Sequence, residues 1–142
     1  MTRARVLLAD DHRAVCESVA SLLQSDFDVV GSVPNGQDLL AEAERLHPDV
    51  VVTDISMPVL DGIEAARQLH VSQPDAKVVF LTVHGGTEFV RACLAAGALG
   101  YVVKSRLTTD LIPAIHEILA GHQFISPTLH FPDEHSRKEK SV

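Results

Sequence analysis

Val50-Val51-Val52-Thr53-Asp54-Ile55-Ser56-Met57-Pro58-Val59-Leu60-Asp61-Gly62 is the stretch on which the reading turns. A short β-branched run ends on a carboxylate and breaks into a loop that contains proline and glycine. An ionised group at a buried strand tip is costly unless it is paired, so stability alone is a poor reason for Asp54. Two further apolar runs end the same way. Val6-Leu7-Leu8-Ala9 leads into Asp10-Asp11, and Gly100-Tyr101-Val102-Val103 leads into Lys104. Acids and one base gathered at strand ends make a charged constellation suited to a divalent cation together with a phosphoryl group.

Working outward, short β-branched runs at 5–9, 28–33, 49–53, 77–82 and 100–103 alternate with stretches of helical spacing. Val15, Val19, Leu22 and Leu23 form one apolar stripe. Leu39, Leu40, Ala43 and Leu46 form a second, capped by Asn35-Gly36 and closed by Pro48. Ile63, Ala66 and Leu69 form a third, with Asp61 as N-cap. Phe89, Val90, Cys93, Leu94 and Ala96 form a fourth that stops at Gly97. Leu111, Ile112, Ile115, Ile118 and Leu119 form a fifth that stops at Gly121. Pro113 belongs in a first helical turn, which predicts that this last helix begins near Thr109 or Asp110 and not at Leu107.

Strict strand–helix alternation predicts an α/β fold: a five-stranded parallel sheet, doubly wound and flavodoxin-like, with helices on both faces. Ligands of such sheets bind outside the carboxyl ends of the strands. Those ends are where Asp10, Asp11, Asp54, Thr82 and Lys104 fall. Residues 1–121 are expected to form one domain. Beyond Gly121 a short extended piece would tuck Phe124 and Ile125 against it. The stretch 122–142 reads as a tail or linker, charged and poor in apolar residues toward its end, with no DNA-binding domain.

The 142 residues suit one domain, and 46% hydrophobic residues without tryptophan imply an aliphatic core. A formal net charge of −7 argues against direct nucleic-acid binding by this segment, because phosphate contacts need clustered Lys and Arg. Cys16 and Cys93 lie in amphipathic stretches and read as small core residues, with neither metal nor disulfide spacing. The apolar run after Met1-Thr2-Arg3-Ala4-Arg5 is too short for a secretory signal, and none is long enough to span a membrane. A cytoplasmic soluble protein is expected.

With those residues in order, the chain resembles the receiver domain of bacterial two-component response regulators. The resemblance rests on Asp10-Asp11, on Asp54 followed by Met57-Pro58 and Asp61-Gly62, on Leu81-Thr82, and on Tyr101-Val102-Val103-Lys104. Ala95-Ala96-Gly97-Ala98-Leu99-Gly100-Tyr101, then Ala114-Ile115, Gly121 and Ser126-Pro127, is similar to the NarL/FixJ (LuxR-type) subclass. Members of that subclass usually carry a C-terminal helix-turn-helix domain.

The resemblance implies that Asp54 accepts a phosphoryl group from a sensor histidine kinase. Mg²⁺, with Mn²⁺ as an alternative ion, would be held by Asp11, Asp54 and the Ser56 main-chain carbonyl, and by Asp10 mostly through water. Lys104 and Thr82 would bind the phosphoryl oxygens. Thr82 and Tyr101 would act as the switch that alters the face of the fourth helix, fifth strand and fifth helix, about 87–121. Homodimerisation on phosphorylation and control of transcription through a separate output follow from the same likeness. Ser56 and His84, two residues beyond Asp54 and Thr82, flank the path of attacking water and would tune dephosphorylation. Gly85-Gly86 weakens the start of the fourth helix.

The isolated residues also have plainer readings. Asp10-Asp11 alone would be a solvated turn, Thr82 a strand residue, Tyr101 a surface-edge aromatic and His84 an idle loop residue. The other histidines, His12 among them, read as surface. One rival function is an interaction module of the same fold that never uses phosphate. Another is an Asp-nucleophile phosphatase resembling haloacid dehalogenases. That chemistry needs a second aspartate two positions after the first, and here Ser56 stands there without acid–base capacity. Asp54 is therefore expected to receive a signal and not to turn over a substrate as an enzyme does.

Overall fold

The β-branched runs pair in parallel, and the stretches between them coil into helices that return the chain to the same sheet edge. The computed structural model describes residues 3–83 and 86–126. The elements run β1 (Arg5–Ala9), α1 (Arg13–Leu23), β2 (Asp28–Val33), α2 (Gly36–Leu46), β3 (Val50–Thr53), α3 (Gly62–Ser72), β4 (Lys77–Thr82), α4 (Thr87–Ala95), β5 (Gly100–Val103), α5 (Leu107–Leu119) and β6 (Phe124–Ile125). Among the described residues, no helix is long and apolar enough to cross a membrane.

The strand order is β2-β1-β3-β4-β5-β6, all parallel. Alternating strand side chains divide the core between the two faces. Leu7, Val51, Phe80 and Tyr101 pack with Leu39, Ala66, Leu69, Val90 and Cys93 of α2, α3 and α4. Val6, Leu8, Val50, Val52 and Val102 pack with Val19, Leu23, Leu111, Ile115 and Ile118 of α1 and α5. The order of winding reverses between β1 and β3, and register there pairs Ala9 with Thr53. Asp10 and Asp54 therefore leave the sheet side by side at the switch point.

Local signals in the sequence account for the element ends. Asn35 accepts from the Asp38 amide at 2.8 Å and Asp61 from the Glu64 amide at 2.8 Å, each as an N-cap. Gly121 adopts φ 89°, and the His122 amide returns to the Glu117 carbonyl at 2.8 Å, which closes α5 in a left-handed C-terminal turn. Cys16 and Cys93 are buried free thiols, as expected. Burial pushes the Cys93 thiol up to about 12, so it stays protonated at neutral pH.

Two expectations need correction. A sixth strand joins the sheet: Phe124 pairs with Gly100 and Ile125 with Tyr101, so the sheet continues past the boundary placed at Gly121. The apolar pair Phe124-Ile125 was expected to tuck in, but it is too short for its alternation to reveal a strand. In addition, α5 begins at Leu107, directly after a single 3₁₀ turn at Lys104–Arg106, and Pro113 lies inside it. Side-chain bonds fasten the first turn of α5. Thr109 Oγ1 donates to the Arg106 carbonyl at 3.2 Å, and Arg106 Nε donates to Asp110 at 2.8 Å. Pro113 sits on the exposed side, while Leu111, Ala114, Ile115 and Ile118 are buried and hold the helix to the sheet. Packing thus outweighs the one backbone bond that proline removes.

Candidate functional site

Asp54 follows the last residue of β3 and retains only 6% of its exposure. Its amide donates to the Ala9 carbonyl at 2.9 Å, which fixes it against the end of β1. Its own carboxylate is held on both sides. The Ile55 amide donates to Oδ1 at 2.7 Å, and Lys104 Nζ stands 3.1 Å from Oδ2. The Thr53 hydroxyl donates to the Asp54 carbonyl at 3.0 Å. These contacts leave the Asp54 side chain little rotational freedom.

Lys104 reaches over from the end of β5 and joins two acids, with Asp10 Oδ2 at 2.8 Å as well. Burial disfavours its charge, but hydrogen bonds to Asp10 and Asp54 outweigh that and raise the Lys104 pKa above the ordinary lysine value. The ammonium is therefore permanent at physiological pH. Asp10 is 7% exposed and uses its other oxygen, Oδ1, to accept from the His12 amide at 2.9 Å. Asp11 is more open, with its side chain 35% exposed.

One oxygen or nitrogen from each of Asp10, Asp11, His12 and Asp54 lies within 4.8 Å of the others. Three carboxylates so close repel one another, and the single Lys104 ammonium does not neutralise them all. A hard divalent cation suits this donor set, which is mainly carboxylate oxygen on the solvent side of Asp54.

Sequence reasoning missed one member of this group. His12 was read as a surface histidine, and its side chain is indeed 67% exposed, but Nδ1 lies 3.1 Å from Asp10 and 3.2 Å from Asp11. Its place directly after the two aspartates was the available signal.

The remaining sequence-designated residues fall around this centre in different ways. Thr82 ends β4, in register with Val103, and is fully buried. Ser56 is exposed on the loop after Asp54. Tyr101 is fully buried in the layer under α4, so the plain reading of it as a surface-edge aromatic does not hold. Burial, then Cys93 and Asp54, holds the Tyr101 hydroxyl far above the ordinary tyrosine range. His84 lies outside the described residues.

An anchored aspartate, an acidic rim and a fixed ammonium at the carboxyl ends of parallel strands agree with the family comparison. The model of the response regulator receiver domain matches residues 6–116. The chain belongs to the response regulator receiver family. Response regulator GacA of Pseudomonas viridiflava is 41% identical over 128 residues, which cover 88% of this chain and 59% of that protein. The transcriptional regulatory protein DegU of Brevibacillus brevis is 33% identical over 127 residues, 88% of this chain and 54% of that protein. The receiver chain thus spans less than two thirds of the length of these relatives.

Among solved structures, a LuxR-family two-component response regulator from Aurantimonas sp. SI85-9A1 superposes with a TM-score of 0.87 at 31% identity, covering 99% of this chain and 100% of that one. The isolated receiver domain of RcsB from Salmonella enterica serovar Typhimurium, solved with the phosphomimetic BeF3-, gives 0.81 at 27% identity over 89% of this chain and 95% of that one. The kinship to GacA and to LuxR- and NarL-type regulators matches the subclass resemblance read from the sequence. The parallel, doubly wound fold is the receiver fold.

Proposed function

We propose that Asp54 is the phosphoacceptor of this receiver. The observation that carries the reading is the double anchoring of its buried carboxylate, by the Ile55 amide at 2.7 Å and by Lys104 at 3.1 Å, within an acidic rim. A carboxylate oxygen of Asp54 attacks the phosphorus of a phosphohistidine on a sensor kinase. The new O–P bond forms as the P–N bond breaks, and the imidazole leaves. Phosphoryl transfer needs positioning and charge neutralisation more than covalent help, and the anchored Asp54 and Lys104 offer both.

Asp10, Asp11 and Asp54, with the Ser56 carbonyl, would hold Mg²⁺ or Mn²⁺, which supplies charge neutralisation for the transferring group. Lys104 would pass from its present contacts with Asp10 and Asp54 to the phosphoryl oxygens. Thr82, at the end of β4, would donate its hydroxyl to them. Ser56 and His84 would set how fast water removes the group.

Thr82 and Tyr101 would carry the signal onward. In this reading Tyr101 is mainly inward, as here, and a minor outward population exists that phosphorylation depletes. Phosphorylation biases the two positions and so the surface of α4, β5 and α5. A signal acceptor of this kind works in the cytoplasm. It controls transcription through an output beyond this segment and pairs with a second copy when phosphorylated. The regulator relatives support that course.

The test is incubation with Mg²⁺ and acetyl phosphate or beryllofluoride, read by intact mass and size exclusion. A mass gain abolished by Asp54→Ala is expected. If neither reagent modifies the protein, the chain is a phosphate-independent interaction module of the same fold.

A further inference from the structure

Three buried or half-buried polar side chains stand beside the Lys104 turn, and none belongs to the site described above. Asp110 in the first turn of α5 is 4% exposed, and Ser126, directly after β6, is 1% exposed. Arg106 Nε donates to Asp110 Oδ2 at 2.8 Å, and the Ser126 hydroxyl donates to the same oxygen at 2.8 Å. The Val103 amide in turn donates to Ser126 Oγ at 3.2 Å. Thr109 Oγ1 lies 3.2 Å from the other Asp110 oxygen.

These bonds close a ring. From Val103 the main chain passes through Lys104 and Ser105 to Arg106. The return path runs Arg106 to Asp110 to Ser126 and back to the Val103 amide. The turn that carries the phosphate-site ammonium is therefore spanned by hydrogen bonds that converge on buried Asp110 and Ser126. Ser126 also grips β5 through its amide, which donates to the Tyr101 carbonyl at 2.9 Å. One serine thus bonds the main chain of both Val103, the residue before Lys104, and Tyr101 in the same strand.

An aliphatic corner would fill this space without the desolvation that a buried carboxylate suffers. What the polar ring adds is geometry: it admits few positions for the Lys104 turn relative to β6. We propose that Ser126 and Asp110 form a latch that positions Lys104 and couples the acidic site to the point where the chain leaves β6. Coupling of this kind is reciprocal. Whatever displaces the Lys104 ammonium shifts the hold on Ser126, and whatever pulls on the segment after Ser126 shifts Lys104. The part of the claim that concerns phosphorylation rests on the phosphoacceptor reading, while the positioning part does not.

Residue-resolved amide exchange on the full chain tests both. Without ligand, Lys104→Met is expected to speed exchange of the Ser126 amide about tenfold while amides of β1 stay unchanged. Ser126→Ala is expected to do the same at Val103, and Ser126→Thr, which keeps the hydroxyl, to restore protection. A uniform change across the molecule, or no effect at Ser126 in Lys104→Met, overturns the latch.

With Mg²⁺ and beryllofluoride, the wild-type protein is expected to shift its amide signals at both Ile55 and Ser126. Ser126→Ala is expected to keep the first shift and lose the second. A full shift around Ser126 in that variant overturns the coupling. If the wild-type Ile55 signal does not respond, the phosphoacceptor reading fails, and the ligand-free arm still decides the latch.

Discussion

Gly62 is pressed against the main chain of Asp54. A β-carbon at position 62 would stand 3.0 Å from the Asp54 carbonyl carbon, closer still to its oxygen, and 3.2 Å from the ring of Phe80. The Gly62 amide donates to the Ile55 carbonyl at 2.8 Å, so the start of α3 and the loop after Asp54 are locked together. Backbone cannot yield as a flexible side chain can. Gly62→Ala is expected to cost ~1–3 kcal/mol in urea unfolding, the range for overpacking a tight site. It should also weaken beryllofluoride uptake by moving Asp54. A variant as stable as the wild type would mean the loop can shift freely.

Val59 stands on the same loop in a left-handed conformation, φ 70°, with 78% of its surface exposed. A β-branched residue is strained there, by roughly 1–2 kcal/mol, and so exposed a side chain contributes little packing. Val59→Asn, which tolerates this conformation, is expected to stabilise the protein by about 1 kcal/mol, read from the urea midpoint at unchanged slope. Destabilisation would show that the valine side chain makes contacts worth more than its strain.

Tyr101 is the sole tyrosine and there is no tryptophan, so tyrosine absorbance and tyrosine emission report on this one ring. Burial raises its folded pKa above the unfolded value of ~10. The folded state therefore holds the proton longer than the unfolded state. The contribution to stability is complete below ~pH 10 and is lost as pH rises above it. Tyrosinate absorbance should appear only as the protein unfolds in alkali. An ordinary tyrosine titration in the folded protein would place the ring outside. Beryllofluoride with Mg²⁺ should change the emission in the wild type and leave Asp54→Ala unchanged.

The crowded carboxylates predict that Mg²⁺ stabilises the fold. An ion that binds only the native state at a hundred times its Kd adds about 2.7 kcal/mol. The melting midpoint should rise with Mg²⁺ and much less with NaCl at matched ionic strength. Asp11→Asn removes one donor without touching the Lys104 pairs with Asp10 and Asp54, and should blunt the rise. Equal responses in the variant would take Asp11 out of the metal site.

The fold was legible because alternation of short β-branched runs with helical stripes is a repeated signal, and because three of the strands lead into a charged residue out of keeping with burial. Asp10, Asp54 and Lys104 could be placed from that mismatch alone, and the structure brings their charged atoms within contact distance. What escaped lacks any repeat. The bond between Ser126 and Asp110 joins ordinary residue types 16 positions apart, with no periodic mark on either. The early start of α5 depends on Arg106 and Thr109 fastening a turn that Pro113 argues against. His12 reads as one of several scattered surface histidines, when its place beside Asp10 and Asp11 is the better guide.

The two-residue strand β6 has a bearing on how the protein is cut for study. It covers the outer rim of β5, pairing with Gly100 and Tyr101. A fragment ended at Gly121 would leave the backbone of β5 open along that rim. Unpaired parallel strands of this kind invite pairing with other chains. Self-association of such a fragment would then reflect a missing strand and not signalling, and solution studies of the domain should retain the chain through at least Ser126.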